Sequence, residues 1–350
     1  MQTSIIWFSP ISLKWFSSYI CNRFQFVKIN NVSSHYINVS SGVPQGSHLG
    51  PLLFIIFIND LPEVIKNSQA LLFADDLKVF RVIDSQNDCI LLQHDIDAIA
   101  TWCLNNNLQL NIKKCVSFSF YRSQSYIEFN YSINSVALDR VMSVKDLGIL
   151  FDRKLSFNDH INMIVSKANS MLGFIKRNSS EFTNPQTLKC LYMSLVRPHI
   201  EYCSIIWNPY FGSNNIRIER VQKNFTRYAF YKLNWRIERP SYSTRCSLFA
   251  LSTLENRRTI SSIIFIRDLI QNHIQCPELL RLLNFYTPRR PLRENFHFSN
   301  SVTRTTYAKG ETIRHCTFLL NSYINQIDIF INTNRNMFKT QIVMIVNQIN

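Results

Sequence analysis

Glycine is scarce in this chain, seven in 350 residues, and proline supplies only eleven. That shortage excludes a fibrous repeat or a flexible linker protein, and a 46% hydrophobic content leaves ample material for a buried core. No Cys-x-x-Cys occurs. The nine cysteines, Cys21, Cys89, Cys103, Cys115, Cys190, Cys203, Cys246, Cys276 and Cys316, are scattered and odd in number. The usual zinc-finger spacings are thereby excluded, and reduced thiols in an intracellular protein, nuclear or cytoplasmic, are expected. Long apolar runs are missing too. The best, "PLLFIIFI", stops at Asn59-Asp60 and is too short to span a bilayer, so no membrane partner is expected. The opening segment has no basic leader and makes a poor signal peptide. Trp7, Phe8, Leu13, Trp15 and Phe16 are core-type residues met without a preceding cap or turn, so the front of a domain is expected to lie outside this chain.

Acidic residues are the most unevenly distributed. Residues 1–59 hold three basic side chains and no acidic one, residues 60–215 balance at fifteen of each, and residues 216–350 hold 20 basic against 8 acidic. Most of the net charge of +15 therefore comes from the C-terminal part, which suits a polyanion such as nucleic acid. A solvated basic face is the plainer alternative.

What is present has a readable order. Leu13, Phe16, Ile20 and Phe24 fall at helical spacing and predict a helix over 13–24. "FQFVKIN" and "HYINVSS" alternate as two short strands around the polar turn "NVSS". "SGVPQGSHLGP", residues 41–51, concentrates three of the glycines and two of the prolines, and Pro51 opens a helix over "LLFIIFIND". "ALLFA" and "LKVFRVI" read as two strands. "CILLQHDIDAIATWCLNNN" reads as a helix with Leu92, Ile96, Ile99 and Cys103 along one face. "LQLNIKKCVSFSF" and "VKDLGILFD" return to strand patterning. This succession predicts an α+β fold, an antiparallel sheet with helices on one face, over 1–155. From Phe157 the pattern is helical, first over 156–235 and then in a basic, mainly helical extension over 236–350 that includes the loop "TPRRPLRENFHF".

Between the two strands "ALLFA" and "LKVFRVI" stand Asp75 and Asp76. About 5 Å apart at an effective dielectric of about 20, two carboxylates repel by about 3 kcal/mol. A cation between them offsets that repulsion. An ordinary polar turn is the alternative, although hairpin turns favour Asn-Gly or Asp-Gly over Asp-Asp.

Taken in order, these blocks resemble the reverse transcriptase of non-LTR (LINE-type, Jockey-like) retrotransposons. "SGVPQGSHLGPLLFIIFINDLP" is similar to its motif B and "LLFADDLKVF" to its motif C, the (Y/F)XDD signature. "LNNNLQLNIKKCVSFSF" looks like motif D and "VKDLGILFDRKLSFNDHI" like the primer-grip region that follows. "LYMSLVRPHIEYCSIIWNP" resembles the thumb, and "LENRRTISSIIFIRDLI" the C-terminal segment. The resemblance implies an RNA-directed DNA polymerase, a nucleotidyltransferase: a partial polymerase palm over 1–155, an all-helical thumb over 156–235 and a C-terminal extension over 236–350. Its partners would be an RNA template, a DNA primer and deoxynucleotides.

Residue by residue, the resemblance implies that Asp75 and Asp76 hold Mg2+ or Mn2+ for two-metal nucleotidyl transfer, with Phe73 near the primer end. Pro44, Gln45 and Gly46 would shape the surface that meets the incoming nucleotide and the template base. Lys114 would protonate the leaving pyrophosphate, and Leu147 and Gly148 would belong to the primer grip. Each also has a plainer reading: a Gly/Pro turn before a helix, a solvated Lys113-Lys114 pair at a strand end, and an apolar strand with its packing glycine. The family further needs a third carboxylate from an upstream motif A. No acid precedes Asp60, itself a poor substitute, so motif A is expected outside this chain and the chain alone is expected to polymerise little or nothing. A non-catalytic nucleic-acid-binding remnant is the alternative. An RNA-dependent RNA polymerase, which usually shows Gly-Asp-Asp, is disfavoured by Ala74.

Overall fold

The computed structural model describes residues 9–122, 126–209, 212–234, 238, 240–287, 296–299, 310–324, 326–330 and 334–349. Residues 288–295 of the predicted basic loop lie outside the described residues. The chain divides into two units, one of Met1–Ser117 with Ser123–Val141 and the other of Phe118–Arg122 with Met142–Asn350.

The first unit opens with α1 (Pro10–Ile20), whose N-cap Ser9 accepts a hydrogen bond from the Ser12 amide. The helix is shorter than its apolar spacing predicted: Asn22 turns to φ +53°, and Phe24 falls in β1 (Arg23–Gln25). Next come β2 (Lys28–Ile29) and β3 (Val32–Ser33), joined by Asn30 and Asn31 at φ +47° and +68°, the left-handed backbone that a type I′ turn requires and asparagine tolerates. The turn is therefore Asn-Asn rather than "NVSS". β4 (Ile37–Val39) then returns antiparallel to β1.

α2 (Gly50–Phe57) starts with Pro51 in its first turn, as predicted, and a 3-10 turn follows at Leu61–Val64. β5 (Gln69–Phe73) and β6 (Asp76–Phe80) form an antiparallel hairpin. α3 (Gln86–Asn105) begins at a capping box in which Ser85 and Asp88 each bond the other's backbone amide. Of its predicted face, Ile99 and Cys103 are buried and Leu92 and Ile96 half-buried. "LQLNIKKCVSFSF" is not a continuous strand: Lys114 and Cys115 donate back to Asn111 and Ile112, making a 3-10 turn before the two-residue β7 (Val116–Ser117). The unit ends with β8 (Ser132–Ile133), β9 (Val136–Ala137) and β10 (Asp139–Arg140).

The composition is α+β. The single antiparallel sheet expected from the strand order is instead a set of two-stranded pairs, and the β7–β10 pair is parallel. The strands run only two to five residues between tight turns, so β2–β3, β5–β6 and β8–β9 each find a ladder partner in the adjoining hairpin arm. The principal apolar cluster joins Phe54 and Ile58, Leu61, and Ile99, Trp102 and Cys103 of α3 to the inner face of the β5–β6 hairpin, Leu72, Leu77 and Val79.

The second unit starts with β11 (Ser143–Asp146) and β12 (Ile149–Asp152), a hairpin where "VKDLGILFD" had read as one strand. Leu147 and Gly148 make the turn at φ +43° and +89°. Helices follow: α4 (Asn158–Asn178), α5 (Pro185–Leu191), α6 (Arg197–Glu201), α7 (Ser204–Trp207) and α8 (Gly212–Asn234). α9 (Tyr242–Leu248), α10 (Leu254–Ile270), α11 (Pro277–Leu280), α12 (Thr312–Ser322) and α13 (Arg335–Ile349) come next among the described residues. Between α5 and α6 the helix widens into a π turn at Tyr192–Val196, with the Arg197 amide reaching the Tyr192 carbonyl. Pro198, which has no amide hydrogen to give, stands one residue beyond.

One core packs α4, α5 and α8 around Tyr192, Trp207 and Phe225. A second packs α10 against α12 and α13 through Ile263, Ile266, Cys316, Phe338 and Ile342. α10 serves both, since its Leu254 belongs to the first core and Ile260 onward to the second. Among the described residues no helix is long and apolar enough to cross a membrane.

Candidate active site

The Asp75–Asp76 pair lies at a strand junction, at the tip of the β5–β6 hairpin. The register opposes Phe73 to Asp76 and leaves Ala74 and Asp75 as a two-residue loop. Ala74 enters it at φ +52°, a left-handed conformation that costs an L-residue with a Cβ about 1–2 kcal/mol. Strand alternation gives the hairpin two faces. Leu72, Leu77 and Val79 turn into the core, while Leu71, Phe73, Asp76 and Phe80 are exposed. Asp75 is exposed as well, and neither carboxylate has a hydrogen bond or ion pair among the described residues. Two uncompensated carboxylates at an exposed turn can offer oxygen ligands to a hard divalent cation, with water and substrate oxygens filling the remaining positions. No cluster of three or more His, Cys, Asp or Glu with metal-binding geometry occurs among the described residues.

The tip is held from its base. Asp95 of α3, buried, accepts from the backbone amides of Lys66 (3.0 Å) and Asn67 (2.9 Å) and from the Asn67 side-chain amide (3.1 Å). Burial pushes its carboxyl up, but the donors from Lys66 and Asn67 outweigh it and hold the group below the ordinary aspartate value. On the exit side, Arg81 Nη2 donates to Asp88 at 2.7 Å and Nη1 donates to the Asn67 carbonyl. Hydrogen bonds from Ser85 and Arg81 hold Asp88 at about 2. The segment entering β5 and the residue leaving β6 are thus both tied to α3. Sequence reasoning passed over these residues. The Ser-x-x-Asp spacing of 85–88 is a legible capping signal, whereas nothing local distinguishes buried Asp95 from exposed Asp97.

In the Pro44-Gln45-Gly46 loop, Gly42 and Gly46 sit at φ +78° and +79°, and a Cβ on either would meet nothing within 4 Å. Glycine is demanded here by the backbone conformation, not by a crowded neighbour, and Gln45 and Gly46 are exposed. Arg23 donates to the Ser41 and Gly42 carbonyls. Ser47 Oγ donates to the Pro44 carbonyl (2.8 Å) and accepts from the Gly50 amide (3.1 Å), fastening the loop to the start of α2. Through Phe54 of α2, the loop's own helix shares one apolar cluster with the hairpin. Lys114 is exposed on its 3-10 turn and bonds neither aspartate among the described residues.

Leu147 and Gly148 belong to the second unit, where Tyr202 Oη donates to the Leu147 carbonyl at 3.0 Å. A Cβ on Gly148 would come within 3.2 Å of the Tyr202 ring, so this glycine answers both to backbone conformation and to packing. Next to it, Asp152 caps the approach to α4. Burial raises its carboxyl, but amides from Ser156, Phe157 and Lys154 outweigh burial and hold it below the usual value.

Compared with known families, residues 4–175 match the family described as reverse transcriptase (RNA-dependent DNA polymerase). This stretch belongs to the reverse transcriptases. The matched segment contains the Pro44–Gly46 loop, the aspartate pair, Lys114 and the Leu147–Gly148 turn. Among curated proteins, the chain is 28% identical over 221 residues to a probable RNA-directed DNA polymerase from transposon BS of Drosophila melanogaster, covering 60% of this chain and 24% of that protein. It is 27% identical over 220 residues to the probable RNA-directed DNA polymerase from transposon X-element of the same fly, with the same coverage. To the RNA-directed DNA polymerase from mobile element jockey it is 31% identical over 159 residues, 42% of this chain and 17% of the relative. The reverse-transcriptase segment thus has the LINE-type, jockey-like kinship that its motif order implied. The chain spans about a quarter or less of the length of each of these relatives. No solved structure matches.

Proposed function

We propose that this chain is the part of a transposon-encoded reverse transcriptase that carries motifs B to D, the primer grip, the thumb and a C-terminal extension. Residues 1–155 act as a partial palm, 156–235 as the thumb and 236–350 as the extension. The observation that carries the reading is the pair of exposed, unpartnered carboxylates at the tip of a base-clamped hairpin, inside the segment matched to reverse transcriptases.

Asp75 and Asp76 are the residues that would hold Mg2+ or Mn2+. Bound there, such an ion stabilises the charge on the attacking and leaving oxygens of an in-line displacement at phosphorus. The chain's own groups do the rest. Phe73, opposite Asp76 on the exposed face, presents its ring to the primer end. Pro44, Gln45 and Gly46 offer an open backbone surface to the nucleotide and the template base. Lys114 brings an ammonium to the leaving pyrophosphate. The basic excess of residues 216–350 attracts the phosphate backbone of an RNA template and DNA primer. Two carboxylates with no third ligand among the described residues make an incomplete cradle, so the chain by itself polymerises little or nothing.

A second reading, a nucleic-acid-binding remnant without catalysis, is favoured by that incomplete ligand set together with the basic C-terminal part. Mn2+ binding followed by electron paramagnetic resonance, on the chain with an RNA template annealed to a recessed DNA primer, separates the two. The double substitution Asp75→Ala and Asp76→Ala should abolish Mn2+ binding and leave metal-free nucleic-acid binding intact. Mn2+ binding indifferent to the substitutions would leave only the second reading. Robust cDNA synthesis by the chain alone would overturn its inactivity.

A further inference from the structure

We infer that Tyr202 is a positioning residue for the primer terminus, acting by holding the Leu147–Gly148 turn in shape. The inference rests on the primer-grip reading of that turn and adds to it the residue that supports it.

The turn is poorly provided for by its own sequence. Both of its central residues are at positive φ, +43° and +89°, a geometry for which Asn-Gly or Asp-Gly is the favoured pair. Leucine at the first position carries a Cβ that the left-handed region penalises, and it has no polar side chain with which to bond its own backbone. The missing support arrives from 55 residues further along the chain. Tyr202 Oη donates to the Leu147 carbonyl at 3.0 Å, and its ring covers Gly148 so closely that an added Cβ would sit 3.2 Å from Cε1.

Tyr202 is itself anchored. Its amide donates to the Pro198 carbonyl (3.1 Å), and its carbonyl accepts from Trp207 Nε1 (2.8 Å). The Trp207 side chain is completely buried in the core of this unit. A continuous line of contacts therefore runs from that core, through the backbone of Tyr202, to its ring and hydroxyl and on to the turn. Tyr202 itself is 55% exposed and Leu147 41%, so the turn is presented at the surface while its backbone is held from behind. A displacement of about 1 Å is enough to spoil the alignment of reacting groups. Tyr202 lies in the helical stretch assigned to the thumb, so the contact makes that stretch and the grip move together.

The test uses Tyr202→Phe, which keeps the ring and removes only the hydroxyl, alongside Tyr202→Ala in the full chain. Hydrogen exchange of the 143–152 segment reports on the turn. Fluorescence anisotropy with a recessed RNA/DNA primer–template and with a blunt duplex of equal length reports on the primer end. Tyr202→Phe should speed exchange across the turn by about threefold or more and reduce the preference for the recessed over the blunt duplex, with blunt-duplex affinity unchanged. Tyr202→Ala should do both more strongly. Unchanged exchange in Tyr202→Phe overturns the inference. If the unsubstituted chain binds the two duplexes equally, the primer-grip reading itself fails, and the exchange measurement still decides whether Tyr202 holds the turn.

Discussion

The two units draw on the same kinds of apolar residue and cover them to different extents. In the first, α1 buries none of its residues, and Ile11, Leu13 and Trp15 stand at the surface. Phe24, Val27, Ile29 and Val32 on the neighbouring ribbons are exposed as well. In the second, α10 buries ten of its 17 residues, and Tyr192, Val196, Ile200 and Trp207 show no exposed surface at all. Long helices with a broad apolar stripe can be covered by several neighbours. A two-stranded ribbon can bury one face, and both of its edges remain open. The candidate chemistry follows the same division. Phe73, Asp75 and Asp76 are presented on the open unit by a hairpin clamped at its base and packed on one face, and Gly46 by the loop before α2, whereas the Leu147–Gly148 turn is buttressed by a side chain rooted in the closed one.

The contrast is most directly broken or sharpened by paired truncations. Phe225 is fully buried and stacked on Tyr192 at 4.2 Å between ring centres. Phe225→Ala should lower stability by about 3–5 kcal/mol in urea unfolding followed by circular dichroism, and Leu71→Ala on the exposed hairpin face by less than about 0.5 kcal/mol. Equal losses would mean that the units do not differ as described.

Asp95→Ala leaves the Lys66 and Asn67 amides without their acceptor and should cost about 1–3 kcal/mol, read as faster exchange of those two amides. Because the folded carboxyl of Asp95 titrates below its unfolded value, its contribution is complete above about pH 4 and is lost as pH falls through that value toward the folded one. The Ala variant should lack this acid step in near-ultraviolet circular dichroism.

The second unit has a sensitivity in a milder range. Burial, the largest influence, pushes His160 below the ordinary imidazole value, with help from Lys167, and burial alone does so for His315. His160 Nδ1 accepts from the Leu150 amide at 3.2 Å. His315 Nε2 faces the Asn208 side-chain amide at 2.8 Å, while Asn208 Oδ1 accepts from Arg258 at 3.1 Å. That last bond orients the asparagine so that its NH2 points at His315, which must therefore be neutral and accepting. Folded imidazoles that bind fewer protons than unfolded ones stabilise fully above about pH 6.5 and progressively less below it. The thermal midpoint should fall on acidification from about pH 7.5 to about 5.5, and His315→Gln should flatten the slope. A midpoint indifferent to pH would refute this account. Ala74→Gly should change stability little in either direction: relief of the strained φ is offset by the flexibility of glycine, for a net change within about 1 kcal/mol.

How much was legible in advance depends on how far away the deciding atoms lie. The order of motifs came from the family resemblance, whereas the strand junction at Asp75–Asp76, Pro51 in the first turn of α2 and the helix over α3 came from spacing and turn chemistry within about ten residues, where periodicity and backbone preference act. Other features turned on distant partners. Leu147 could read as a strand residue because the hydroxyl that steadies its turn comes from Tyr202. Asp95 looked like any helix-surface acid because its donors, Lys66 and Asn67, precede it by 28 or 29 residues. The alternating runs announced strands but not how they pair, and they formed separate ribbons in place of one sheet. The amino-acid order alone determined the family resemblance of the 4–175 stretch and where the local elements begin. Tertiary structure decided which side chains are covered, which carboxylate clamps and which stays free, and what steadies a strained turn, because those outcomes depend on contacts made only after distant segments have packed.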